Sequence, residues 1–190
     1  MSKVDVHAPF MGYSGALGKI VYRKYKGQLI ASLKPSGKRT LSEAQAEHQA
    51  RFKQATVYAK RTLANEATAE IYELAAKEKD IPAFALCVAD FLKPPSIDAV
   101  ETVAYNGHEG TPINIFTSDE VGVVSVRVTI TNGNGTTYES GNAVEVSPGT
   151  GLWSYKATAS LSPGMPVEIN VVATDRPGGT AVQSIPFTIP

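Results

Sequence analysis

The chain has 190 residues, 43% of them hydrophobic and 19% charged, which is enough apolar material for packed domains and excludes disorder over the whole length. No apolar run approaches the roughly 20 residues of a membrane-spanning helix. Asp5 stands where a secretion signal would be apolar, so the default expectation is a cytoplasmic protein without a membrane span. The net charge of zero hides a segregation: residues 1–96 hold 15 Lys/Arg against 9 Asp/Glu, a net of +6, and residues 97–190 hold 3 against 9, a net of −6. Two compositions in one chain predict two domains, 1–96 and 97–190.

In chain order, residues 1–17 carry Pro9, Gly12 and Gly15 among scattered apolar residues and read as an irregular arm. A run rich in β-branched and aromatic residues follows, interrupted by Lys26-Gly27, which predicts a hairpin with strands near 19–25 and 28–33. Thr40 and Glu43 have the spacing of a capping box. Beyond them Leu41, Ala44, His48, Phe52, Ala55, Ala59 and Leu63 recur every three to four residues and define the inward face of a first helix. Asn65 is placed to cap a second helix over about 66–79, with Ala67, Ile71, Leu74 and Ala75 inward. Asp80-Ile81-Pro82 breaks it, and Pro82 suits the first turn of a third helix ending near Leu92, with Phe84, Leu86, Val88, Phe91 and Leu92 largely buried. Lys93-Pro94-Pro95-Ser96 then forms a short, stiff linker.

From Ile97 the texture changes to short alternating runs punctuated by Asn132-Gly133-Asn134-Gly135, Ser147-Pro148-Gly149, Ser162-Pro163-Gly164 and Pro177-Gly178-Gly179. Strands are predicted at 99–105, 112–117, 122–131, 135–139, 143–146, 152–159, 167–174 and 181–189. Val124, Val126, Val128 and Ile130 alternate with polar residues, as do Val167, Ile169, Val171 and Ala173. The expected fold class is therefore an α+β N-terminal domain, a β-hairpin plus three helices, followed by an all-β immunoglobulin-like sandwich. Trp153 is expected in its core and Cys87 as a small buried hydrophobe.

Two stretches carry a resemblance. Asp119-Glu120-Val121-Gly122 leading into Val123–Ile130, with Val171-Val172-Ala173-Thr174-Asp175 and Gly178-Gly179 later, resembles bacterial immunoglobulin-like modules. That resemblance implies an acidic turn before a central strand and a closing hairpin in which Asp175 bonds to the backbone of its own turn. Gly15, Gly18 and Val21, then Thr40, Gln45, Gln49, Arg51 and Phe52 at altered spacings, resemble uncharacterised proteins of the Bacteroides group that open with a hairpin and continue into a helix. Neither resemblance implies an activity.

Motifs for chemistry fail on their own spacing. Gly12 to Lys19 lacks the first glycine of a phosphate loop, at Tyr13, and the Ser/Thr after the lysine, at Ile20. Gly12-Tyr13-Ser14 lacks the closing glycine of a nucleophile elbow, at Ala16. His7, His48 and His108 are far apart, and no zinc cluster is legible. Asp119, Glu120 and Asp175 are loop acids that could converge at a sandwich end for calcium, but the alternating acidic loop of calcium hands is missing. The expectation is no enzyme, no cofactor and no metal.

The positive feature is the basic segment. Lys19, Arg23, Lys24 and Lys26 lie on the hairpin with Tyr22 and Tyr25 between them; Lys38 and Arg39 follow in the connector, and Arg51 and Lys53 on the first helix. The leading expectation is an interaction or structural protein. Its immunoglobulin-like domain would bind or display a partner, and its N-terminal region would anchor or assemble it, with a protein partner or self-association. The alternative is nucleic-acid binding by the basic hairpin and first helix, since cations interleaved with aromatics suit phosphate contact plus base stacking.

Overall fold

A computed structural model describes residues 2–3, 14–25, 28–34 and 41–190. They form three helices and three β-sheets. The chain divides into two compact units, Met1–Glu43 and Ala44–Pro190. The boundary expected at 96/97 falls inside the second.

In the first unit, β1 (Ser2–Lys3), β2 (Gly15–Leu17), β3 (Ile20–Tyr25) and β4 (Gln28–Leu33) form an antiparallel sheet in the order β1-β4-β3-β2. The expected hairpin is its central pair, running from Ile20↔Leu33 to Tyr25↔Gln28. The arm expected to be irregular supplies both edge strands. Leu17 pairs with Ile20 across a two-residue turn opened by Gly18 at φ +60°, which a residue with a side chain resists and glycine does not. Leu29 is the one buried hydrophobic residue among those described in this unit.

The second unit begins with α1 (Glu43–Ala64), α2 (Glu66–Glu78) and α3 (Ala83–Leu92). Thr40 of the expected capping box lies outside the described residues. Asn65 caps α2 as expected, its side chain accepting from the Thr68 amide at 3.3 Å. The end of α2 is closed by backbone: Ile81 N–H donates to the Ala76 carbonyl at 3.1 Å, and Asp80 N–H to that of Lys77 at 3.4 Å. Asp80 takes the left-handed conformation this closure needs, at φ +52°. Pro82 sits one residue earlier than expected, as the N-cap of α3.

The helical faces differ from the expected ones. On α1 only Ala55, Ala59 and Thr62 are buried, and every residue from Glu43 to Gln54 is exposed, including Ala44, His48 and Phe52. The periodic stripe is present, but only its C-terminal half meets other helices. On α2 the buried set is Ala69, Tyr72 and Ala76, one residue round from the expected stripe, and Leu74 is 60% exposed. The shift buries the Tyr72 ring against a hydrogen-bonding partner. On α3 Leu86 and Val88 are buried as expected, joined by Cys87 and Asp90, while Phe84 is on the surface. Together Ala55, Ala59, Tyr72, Ala76, Leu86, Cys87 and Val88 form a small helical core. Burial raises the Cys87 thiol to about 11, so the free cysteine is an inert packing group.

Eight strands follow in two four-stranded sheets that share one core: β5 (Ser96–Glu101), β6 (Pro112–Ser118), β7 (Val123–Asn132), β8 (Thr137–Asn142), β9 (Val144–Glu145), β10 (Leu152–Lys156), β11 (Pro166–Asp175) and β12 (Thr180–Thr188). One sheet has the order β5-β6-β10-β9 and the other β12-β11-β7-β8, with every pair antiparallel. Ile113, Ile115, Trp153 and Tyr155 from the first meet Val126, Val128, Ile130, Val167, Ile169, Val171 and Ala173 from the second. Val124, expected to share that face, is 44% exposed. A register shift between Thr174 and Asp175 pairs Asp175 with Val123 and takes Val124 out of the alternation.

Candidate functional site

The turn Asp119–Gly122, between β6 and β7, joins the helices to the sheets. Asp119 closes it: Oδ2 accepts from the amides of Val121 at 3.2 Å and Gly122 at 2.9 Å. Val121 packs against the helical core. Glu120 takes an ion pair from Lys79, after α2, and another from Lys93, after α3, each at 2.6 Å. The two ammonium groups hold the Glu120 carboxyl down to about 2. A cleft of about 530 Å³ opens beside this joint, with Lys79, Asp119, Glu120, Thr150 and Arg176 in its wall. Its far side is pinned by Gly151. Thr117 N–H donates to the Gly151 carbonyl at 2.8 Å, and at φ +69° a Cβ on Gly151 would collide with the Thr117 carbonyl.

Below the joint lies a chain of buried polar groups. The Tyr58 and Tyr72 hydroxyls are 2.7 Å apart, and Tyr72 donates to Asp90 Oδ2 at 2.5 Å. Asp90 is fully buried and its Oδ1 has no hydrogen-bond partner. Burial, together with the carboxyls of Asp119 and Asp175, pushes Asp90 up to about 7 against the lowering effect of the Tyr72 donor. Asp175 makes the turn bonds its sequence context implied, Oδ1 accepting from Gly178 N–H at 2.8 Å and Gly179 N–H at 2.5 Å. It is also buried, being the last inward position of β11. Among the described residues, no group of three His, Cys, Asp or Glu side chains is arranged to hold a metal ion.

The sequence-predicted basic residues that are described belong to both units. Arg23 and Lys24 are exposed on β3, but as neighbours on a strand they point to opposite faces. Lys19 lies in the β2–β3 turn, its carbonyl accepting from Lys34 N–H at 2.6 Å. Lys26, Lys38 and Arg39 lie outside the described residues. Arg51 is engaged structurally, Nη2 donating to the Leu92 carbonyl at the end of α3 at 3.3 Å. Lys53 lies on a shallow apolar groove of about 410 Å³ between α1 and α3, with Val57, Tyr58, Arg61 and Phe91. The rings of Tyr58 and Phe91 are 5.4 Å apart there.

Sequence reasoning missed Asp90 and Tyr72. The available signal was one acid inside the apolar run Phe84–Leu92, a residue type rarely buried without a partner. The pairing of Lys79 and Lys93 with Glu120 spans 41 and 27 residues and left no local trace. No helix among the described residues is long and apolar enough to cross a membrane. Compared with known proteins, the chain matches no family model and no curated protein sequence.

Proposed function

We propose that the chain is a non-enzymatic interaction or structural protein. An immunoglobulin-like module over 97–190 binds or displays a partner, and the region before it anchors or assembles the protein through the exposed side of α1. The strand orders β5-β6-β10-β9 and β12-β11-β7-β8 support the module, because they correspond to the A-B-E-D and G-F-C-C′ sheets of immunoglobulin sandwiches. The observation that carries the interaction is the groove on α1. Val57 is 50% exposed in it and Phe52, five residues earlier and outside the groove, is 49% exposed, on a 22-residue helix that buries three side chains.

The occupant is a second copy of the chain. Lys53 and Arg61 flank the groove, and the net +6 of residues 1–96 complements the net −6 of residues 97–190 across a subunit boundary. Light scattering behind a sizing column, at low and high salt and with or without mixed nucleic acid, tests this. A discrete oligomer is expected, weakened by salt and dissolved by Val57→Glu; a monomer at every salt concentration would sink it. A second reading, nucleic-acid binding, is favoured by the same two cations lying beside the Tyr58 and Phe91 rings, and by Arg23 and Lys24 exposed on β3. It predicts a complex lost at high salt and weakened when Arg23, Lys24 and Lys26 are neutralised.

A further inference from the structure

The sheet of the first unit has an apolar face that is open to solvent at one end. Cross-strand register places Leu17, Ile20 and Leu33 in one row of this face, Gly15, Tyr22 and Ala31 in the next, and Lys24 with Leu29 in the third. Exposure rises along it. Leu29 is buried, Tyr22 and Ala31 are half-buried, and Ile20, Leu17 and Leu33 are 38%, 56% and 77% exposed. Three adjacent aliphatic side chains in water form a patch rather than scattered surface residues. Cations stand at its end. Lys19 occupies the turn between Leu17 and Ile20, and Lys34 follows Leu33, its N–H donating to the Lys19 carbonyl at 2.6 Å. Both lysines are exposed.

We propose that the row of Leu17, Ile20 and Leu33 docks on an anionic lipid surface, entering the acyl boundary while Lys19 and Lys34 stay at the phosphates. Charge selects this occupant. Among the described residues up to 34 the charged side chains are Lys3, Lys19, Arg23, Lys24 and Lys34, all basic. By sequence, residues 1–42 hold eight Lys/Arg against Asp5 alone, a net of +7. A second copy of the same face would therefore bring like charges together. Nucleic acid stacks its bases on aromatic side chains, and this row is aliphatic. A bilayer that is anionic at its headgroups and apolar just beneath them suits both features at once. The backbone is suited to it as well. Leu17 pairs with Ile20 and Ile20 with Leu33, so the peptide groups of the row bond within the sheet. Docking goes beyond self-association through α1 and does not require it.

Sedimentation of the full chain with vesicles tests this, with phosphatidylcholine alone and with phosphatidylcholine mixed with phosphatidylglycerol, at low and high salt. Binding is expected on the mixed vesicles and should fall as salt rises. Lys19→Gln combined with Lys34→Gln should weaken it about 30-fold. Leu17→Asn combined with Leu33→Asn should weaken it about tenfold or more. The leucine variant should keep the wild-type far-UV dichroism and melting temperature, because both side chains are mostly in water. Val57→Glu separates docking from self-association. A monomeric Val57→Glu chain that still sediments with mixed vesicles supports docking, whereas a wild-type oligomer that ignores both vesicle types keeps self-association and overturns docking. Equal binding to the two vesicle types, or unchanged binding of the leucine variant, would also overturn it. So would a lipid-free oligomer that the leucine variant dissolves, because the row would then belong to a partner chain.

Discussion

The helical core and the two-sheet core of the second unit are built by opposite means. The sheets bury large β-branched residues at every second position, from Val126 to Ile130 and from Val167 to Val171, and pack them into one apolar layer. The helices approach closely through alanines at 55, 59 and 76, and fill what remains with Tyr72, Leu86 and a line of polar groups ending at Asp90. Both cores contain a buried acid, and the acids differ in the same sense. Glu139 of β8 accepts through Oε2 from the Tyr155 hydroxyl at 3.0 Å, the Thr158 hydroxyl at 2.7 Å and the Ala159 amide at 3.2 Å. Asp90 has a single donor. The sheet core gives its acid several donors, although Tyr105 Oη, Trp153 Nε1 and Glu139 Oε1 are buried without partners, whereas the helical core is small and close and gives its acid one.

Three changes break or sharpen this contrast. Truncating the sheet core should cost most: Ile169→Ala removes a fully buried side chain and should destabilise by about 2–5 kcal/mol in denaturant titration. The helical core should instead be sensitive to addition. Ala59 is fully buried between helices, and Ala59→Leu should cost about 1–3 kcal/mol by overpacking, measured the same way. A gain in stability there would show that the helices leave room. The smallest effect belongs to the joint on the surface. Glu120→Ala removes both ion pairs and should cost no more than about 1 kcal/mol at neutral pH, because the lysines are largely solvated. Glu120 is held low, so its contribution is present above the ordinary glutamate range and is lost as pH falls towards 2. The wild-type advantage should therefore vanish in acid.

The same contrast explains how much could be read from the chain. Strand alternation is a local property of a half-buried ribbon, so β6, β7 and β11 lie within a residue or two of where their pattern predicts them. Continued two residues past Ala173, the alternation even points Asp175 inward. Helix existence was equally legible, from Asn65, Pro82 and the apolar spacing. Helix facing was not. Alanine is compatible with burial or exposure, so the stripe on α1 does not reveal that Phe52 is left at the surface and Ala59 is enclosed.

From local physical chemistry alone, the sequence determined the number and type of the elements over 43–190 and the buried, inert character of Cys87, and the resemblance of its last hairpin implied the turn bonds of Asp175. Tertiary structure decided what depends on groups distant along the chain. It brought Lys79 and Lys93 to one glutamate, engaged Arg51 with the Leu92 carbonyl at the end of α3, and buried Asp90 against the Tyr72 hydroxyl. The reason is that charge and proton affinity are set by neighbours in space, and a buried acid's neighbours lie on other elements.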